Sequence, residues 1–326
     1  MTTGQSHRQT RREHEVRIDA AGVTLSGTVC QPFEAQQCPA VLLLTGSGPM
    51  DRDGSHPRLR LDVSRQLAHA LADHGIASLR YDKRGVGASP GDWRAAGLFD
   101  LVGDARAARE VLGSQPGIDP SRIFVLGHSE GALIAGAIAA GDTELTGVVL
   151  LAGAARPGEE VLLWQAEQLR ETLPTVPRVV LRLLRTDLVE KVRRNHRKVK
   201  ATTTDVARVD GARINARWLR EYMAHDPVED LRRIDVPVLA ITGEKDLQIS
   251  SADLDVVRRT VPAEVTVRRV PDLSHTLRRQ QGAPSLQLYR KEARRPVDPE
   301  VIDTVIDWVV RHADAAPGNA ATSSKD

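Results

Sequence analysis

The stretch Arg122-Ile-Phe-Val-Leu-Gly-His-Ser-Glu-Gly-Ala-Leu-Ile-Ala-Gly136 decides the reading of the chain. It reads as a buried apolar strand, a turn at Gly127-His128-Ser129-Glu130-Gly131, and a helix of small residues. A G-x-S-x-G turn between a strand and a helix bends so sharply that its serine sits at a strained backbone angle, hydroxyl clear of the sheet. A Cβ at 127 or 131 would meet the neighbouring strand or helix, hence glycine at both. The helix that follows aims its first N–H groups at the hydroxyl, which suits a place where negative charge develops. The pentapeptide alone arises by chance in many chains. The strand before it and the helix after it make Ser129 the candidate nucleophile.

The same alternation extends on both sides. Glu15–Gln31 alternates in strand fashion around Ala21-Gly22, as a hairpin does. Pro39–Thr45 is a continuous apolar run, the mark of a strand buried on both faces, and it empties into Gly46–Gly54. Leu61–His74 is an amphipathic helix closed by Gly75; Ile76–Tyr81 is a strand with the exit loop Asp82–Ser89. Phe99–Gly113 is helical, and Leu145–Ala152 is a strand again. Buried strands alternating with helices specify a parallel sheet covered on both faces, with ligands bound beyond the carboxyl ends of the strands. From Gly158 to about His225 only helical segments are legible; strands resume at Ile234–Thr242 and Glu264–Val270, and Pro299–His312 is a closing amphipathic helix. The expected organisation is a core of residues 15–157 and 227–312, a helical cap at 158–226, a disordered N-terminus at 1–14 and a disordered tail at 313–326.

Composition bounds the rest. A chain of 326 residues has room for one large α/β domain with an insertion, and 41% apolar with 27% charged residues is ordinary for a globular protein. Forty-five basic against 43 acidic residues leave a net charge of +2, which argues against nucleic acid as the main partner. No stretch approaches the ~20 apolar residues of a membrane span. Residues 1–14 carry no apolar core of a signal peptide, so a cytoplasmic protein without stable membrane insertion is expected. Cys30 and Cys38 could pair across a hairpin, but without an export signal two reduced thiols are expected. Homo-oligomerisation is left open.

A serine alcohol needs a base beside it, oriented by a third group, and in this architecture the order is Ser, then Asp or Glu, then His. Gly243-Glu244-Lys245-Asp246 leaves the strand Val238–Thr242, and Asp246 is preferred because Glu244 is still in the tight turn. The strand Val265–Val270 is followed by Pro271-Asp272-Leu273-Ser274-His275, which presents His275 as the base. The only later histidine, His312, sits in the terminal helix. His128 reads as a packing residue. An oxyanion needs two N–H donors; Glu130, after the nucleophile, and Ser47, in the first βα loop, are the candidates, with Gly48 second to Ser47. Asp51-Arg52-Asp53 is expected to brace that loop through internal ion pairs, with contact of Arg52 to substrate the lesser reading. Asp82-Lys83-Arg84-Gly85 reads as a charged turn, and the basic segment Arg178–Lys200 as a solvated cap face, with attraction of anionic substrates or a membrane surface the lesser alternative. The histidines are scattered with no metal-ligand spacing, and no G-x-G-x-x-G follows a strand with an acid downstream, so neither metal nor dinucleotide cofactor is expected.

Over residues 15–312 the sequence resembles the α/β-hydrolase superfamily. The resemblance rests on Gly46–Asp53, Arg80–Gly87, Gly127–Gly131 and Gly243–Gln248. Together these are similar to small bacterial serine esterases related to dienelactone hydrolases and prolyl oligopeptidases. The resemblance implies ester hydrolysis through an acyl-serine intermediate, with Ser129, Asp246 and His275 as the triad. Members of that branch often carry Asn before the catalytic His and an apolar-aromatic pair after it. Here the residues are Ser274-His275-Thr276-Leu277, a departure that bears on the acyl pocket.

The expected function is a cofactor-independent serine esterase acting on small short- to medium-acyl esters. An acyl-CoA thioesterase is a second enzymatic reading, since the basic cap suits an anionic carrier. A peptidase is less favoured, because prolyl-oligopeptidase-type enzymes usually carry an N-terminal propeller for which this chain has no room. A non-catalytic ligand receptor is the reading from another class, and a complete triad counts against it. Haloalkane dehalogenation needs a carboxylate at position 129 and is disfavoured.

Overall fold

The computed structural model of the chain describes residues 10–172 and 187–315. In chain order the strands are β1 (Arg11–Ala20), β2 (Val23–Pro32), β3 (Cys38–Leu44), β4 (Ala77–Tyr81), β5 (Ile118–His128), β6 (Gly147–Leu151), β7 (Val206–Val209), β8 (Ala212–Asn215), β9 (Val238–Gly243) and β10 (Val265–Val270). Eight of them form one sheet in the order β1-β2-β4-β3-β5-β6-β9-β10. β1 and β2 are antiparallel, β2 is antiparallel to β4, and every later pair is parallel. β3 has β4 on one side and β5 on the other, so the chain leaves β3 in one direction and returns across it. That reversal opens a crevice beyond the carboxyl ends of β3 and β5, where ligands of such sheets bind.

The apolar run of β3 has a simple cause. Ala40, Leu42 and Leu44 face one core, and Val41 and Leu43 face another. The first core is closed by α2 (Leu98–Gly113) and α3 (Glu130–Ala139), the second by α1 (Val63–Asp73). A strand buried on both faces has no position left for polar residues.

Between β6 and β9 lie α4 (Gly158–Thr172), α5 (Leu188–Lys200), α6 (Ala216–Ala224) and α7 (Pro227–Leu231); α8 (Asp253–Thr260), α9 (Tyr289–Glu292) and α10 (Pro299–Ala315) follow. This segment departs from the all-helical expectation, because β7 and β8 pair as an antiparallel ribbon. Asp210 and Gly211 at its tip have φ of 49° and 82°, the left-handed pair of a tight hairpin. The Asp-Gly signal is present in the sequence, but strands of four residues carry too little alternation to stand out.

Two boundaries also differ. Arg11–His14 belong to β1 and are paired in register with β2, Arg11 facing Pro32, so the chain is ordered four residues earlier than expected. These charged residues sit on a sheet edge that leaves one face in water, which hides the strand from a hydropathy reading. α10 continues to Ala315, and Ala313, expected in the tail, is buried. Residues 1–9 and 316–326, where the rest of the expected disorder falls, lie outside the described residues. Cys30 and Cys38 are both free and buried, on β2 and β3, with β4 between those strands. No described helix is long and apolar enough to cross a membrane.

Candidate active site

β5 delivers Ser129 into the crevice. The residue has φ 59° and ψ −118°, a strained conformation for a residue with a side chain. Its N–H donates to the Leu151 carbonyl at 2.9 Å, tying the turn to β6. The flanking glycines are forced by contact: a Cβ on Gly127 would lie 1.9 Å from the Gly131 carbonyl oxygen, and one on Gly131 2.3 Å from that of Leu44.

Asp246 and His275 reach the same point from the ends of β9 and β10. His275 Nε2 lies 3.0 Å from Ser129 Oγ, and His275 Nδ1 lies 2.8 Å from Asp246 Oδ2. A carboxylate only accepts, so Nδ1 carries the proton and Nε2 offers its lone pair to the serine hydroxyl. The other oxygen of Asp246 accepts the N–H groups of Gln248 (2.7 Å) and Ile249 (2.9 Å). With both oxygens engaged and its side chain fully buried, Asp246 has one orientation. Glu244 is exposed.

The loop around His275 is held from three sides. His128 Nε2 donates to the His275 carbonyl at 2.9 Å. Burial, then the neighbouring His275, push the His128 pKa down to about 3, so it is a neutral donor. The hydroxyls of Ser274 and Thr276 donate to Glu292 Oε2 at 2.7 and 2.8 Å, and the Gln280 side-chain amide donates to the other oxygen of Glu292. Arg278, 1% exposed, donates to the carbonyls of Thr276 and Leu61 at 2.5 and 2.6 Å; burial, against the opposing charge of Glu292, lowers its pKa to about 10. Ser274 and Thr276, the departure from the resembled pattern, therefore anchor the loop to α9 through Glu292.

Ser47 and Glu130 border the same pocket as Ser129. Among the described residues neither of their N–H groups donates to a protein acceptor. The two residues are linked by one that the sequence reading set aside. Lys83 is buried, and its Nζ donates to the Gly46 carbonyl and to Glu130 Oε2, both at 2.5 Å. Asp82, also buried, accepts the N–H of Arg52 (2.8 Å) and of Ala88 (2.9 Å). The expected charged turn leaving the strand is a buried bracket between the β3 loop, the β4 loop and α3. Its position at the carboxyl end of a central strand was the available signal. Arg52 braces the loop, though through Asp82 (2.9 Å) and Glu15 (2.6 Å), outside the trio, while Asp53 pairs with Arg80 at 2.9 Å. Arg52 is not in the wall of the pocket.

The pocket over Ser129 is narrow, about 80 Å³, and α4 and α6 form its outer wall with Leu162, Gln165, Trp218 and Tyr222. A second cavity of about 370 Å³ shares Ser47, Glu130, Leu162 and Trp218 with it and is otherwise lined by residues such as Trp93, Leu101 and Ile214. In α5, Lys198 and Lys200 pair with Asp210 and Glu159 at 2.6 Å each; residues 178–186 of the basic segment lie outside the described residues. One group with metal-ligand spacing occurs among the described residues, Glu13, Cys30 and His69. Arg80 already holds Glu13 at 3.0 Å, and burial raises the Cys30 thiol to about 12, so the set suits a metal poorly.

A parallel sheet with a strained serine after β5, a carboxylate after β9 and a histidine after β10 defines an α/β hydrolase. The chain belongs to the family described as serine aminopeptidase S33, matched over residues 61–281. It is 30% identical to esterase EstD of Thermotoga maritima over 289 residues, which cover 88% of this chain and 66% of that protein; the chain thus spans just under two thirds of that relative's length. An uncharacterized protein of Mycobacterium tuberculosis is 36% identical over 114 residues, 35% of this chain and 36% of its own. Est1E of Butyrivibrio proteoclasticus, solved with ferulic acid, superposes with a TM-score of 0.61 at 16% identity, covering 91% of this chain and 98% of its own. A proline iminopeptidase of Mycobacterium smegmatis superposes with a TM-score of 0.62 at 17% identity, covering 93% and 100%. These two likenesses concern the fold.

Proposed function

We propose that the chain is a carboxylic ester hydrolase that works through an acyl-serine intermediate. Ser129 Oγ attacks the ester carbonyl carbon while its proton passes to His275 Nε2, and Asp246 stabilises the imidazolium that results. The carbonyl oxygen becomes an oxyanion held by the N–H groups of Ser47 and Glu130, an interaction worth about 10²–10³ in rate per donor. Collapse of this intermediate breaks the bond to the alcohol oxygen, which takes the proton from His275. Water then attacks the acyl-serine with the same base and releases the acid. Lys83 fixes the spacing of the two oxyanion donors by gripping Gly46 and Glu130.

The observation that carries the reading is the chain of contacts from Ser129 through His275 to Asp246, 3.0 and 2.8 Å long. The relation to esterase EstD supports esters as the substrates. The narrow pocket over the serine supports a short to medium acyl group. Peptide hydrolysis from a free amino end is the second reading, prompted by the family description. It wants a free carboxylate for the substrate's ammonium, whereas the only carboxylate among the described residues lining this pocket, Glu130, is neutralised by Lys83.

The test is labelling with a fluorescent fluorophosphonate together with turnover of p-nitrophenyl esters from acetate to palmitate. The wild type is expected to label and to cleave the shorter esters. Ser129→Ala is expected to lose labelling, and Ser129→Ala and His275→Ala to lose about 10⁴-fold or more in kcat. Labelling that survives Ser129→Ala removes Ser129 as the nucleophile. Absence of both labelling and turnover favours a ligand receptor, and selective cleavage of acyl-CoA a thioesterase.

A further inference from the structure

The wall of the catalytic pocket contains an arginine that the hydrolytic steps above do not use. Arg156, just before α4, borders the pocket with Ser129. Its guanidinium forms an ion pair, with Nε 2.8 Å from Asp253 Oδ1. Asp253 is itself 2% exposed and also accepts the Ala155 N–H at 3.1 Å. The indole of Trp164 lies 5.5 Å from the guanidinium carbon. The contact with Asp253 is an ion pair without hydrogen-bond alignment, so the charge is placed before any ligand arrives while its donors stay uncommitted. Nε and Nη2 are buried, and neither makes a hydrogen bond among the described residues. Trp218, in the same wall, has a buried indole N–H that is likewise without one. Among the described residues the pocket wall thus holds unpaired buried donors on Arg156 and Trp218 and one carboxylate, Glu130, already taken by Lys83.

Buried donors call for an acceptor, and a guanidinium placed by its ion pair with Asp253 presents its uncommitted N–H groups in the planar geometry that suits a carboxylate. Building on the ester-hydrolase reading, we propose that Arg156 binds a carboxylate of the substrate, so that the preferred substrates are esters that carry a free acid group within a few bonds of the scissile carbonyl. Asp253 acts as the positioning residue that orients the guanidinium. A charge-assisted bond from buried donors discriminates against a neutral group of the same shape, which accepts through one oxygen and carries no opposing charge.

The experiment compares each anionic ester with its neutral isostere. Monoethyl glutarate is set against ethyl 4-carbamoylbutanoate for an acid on the acyl side, and acetyl glycolate against acetyl glycolamide for an acid on the alcohol side. The expected result is a kcat/KM at least about tenfold higher for the anionic member of one pair, carried mainly by KM. Arg156→Met is expected to bring that ratio to about one or below, and Arg156→Lys to retain part of it. The ratio is internal to each variant, so a general loss of activity does not alter it. Should Arg156→Met fail to fold, the wild type still decides: free glutarate should protect Ser129 from fluorophosphonate, and glutaramide should not. Neutral esters cleaved as well as anionic ones, or a preference that survives Arg156→Met, overturns the assignment and leaves the hydrolase reading standing. No labelling and no turnover of any ester overturns both.

Discussion

The loop that presents His275 and the outer wall of the pocket over Ser129 are built on opposite terms. Around His275 the polar side chains named above have partners: Glu292 gathers three donors, Arg278 three carbonyls, and His128 holds the His275 carbonyl. In the wall formed by the residues before α4 and by α6, Arg156 and Trp218 carry buried donors that make no hydrogen bond among the described residues. A triad must be held to within fractions of an ångström before substrate arrives, and full pairing is how a buried polar network becomes rigid. A specificity wall has to leave groups for the ligand. On the proposed function, the difference separates the residues that would run the chemistry from those that would choose its substrate.

The contrast is broken most directly at Glu292. Glu292→Ala removes the acceptor shared by Ser274 and Thr276, leaving their hydroxyls only each other at 2.9 Å, leaves the Gln280 amide only the Ser285 carbonyl, and strips buried Arg278 of its main opposing charge. A buried donor left without its acceptor costs about 1–3 kcal/mol, so a loss of about 2 kcal/mol in urea unfolding is expected. A fall in kcat larger than any rise in KM should accompany it. Wild-type kcat in a variant that folds normally would show that the His275 loop does not depend on this anchor.

An effect that appears only on acidification is expected at His128. Its folded pKa of about 3 lies below that of a free histidine. Above about pH 6.5 neither the folded nor the unfolded chain binds this proton, and the stability is complete. As pH falls from there towards 3, the unfolded chain takes up the proton and the folded one resists. Stability is therefore lost by up to about 1.4 kcal/mol per pH unit until pH falls through the folded value. Between pH 7 and 5, before most carboxylates titrate, the wild type should lose about 2 kcal/mol more than His128→Gln, measured by urea midpoints. Equal losses in the two proteins would mean that His128 is not buried as a neutral donor.

The smallest effect sharpens the cap side. Gly211 has φ 82° with open space around the position of a Cβ, so Gly211→Ala costs only backbone strain, about 1 kcal/mol. Hydrogen exchange should quicken across residues 206–215 and stay unchanged across β5 and α3. Uniform quickening would show that cap and core open together.

The order of strands in the sheet came only from the structure. The sequence by itself pointed to a mostly parallel sheet, to its buried strands and to the three residues that the structure brings together over the crevice. Each rests on local physics: a continuous apolar run for a strand buried twice, glycines where a turn admits no Cβ, and polar residues set at strand exits. Ser129, Asp246 and His275 were legible because each lies beyond the carboxyl end of a strand and the three fall in the chain order Ser, Asp, His. Lys83, Glu292 and Arg156 were not. Their neighbours in sequence are turns and helix ends that would look the same in water. Only the tertiary structure buries Lys83 between Gly46 and Glu130, turns Ser274 and Thr276 onto Glu292, and fixes Arg156 on Asp253. These pairings join positions far apart along the chain or hidden by surface-like composition, and no periodicity records them. What a charged side chain does is set by the water it loses, and that loss is decided when distant elements pack.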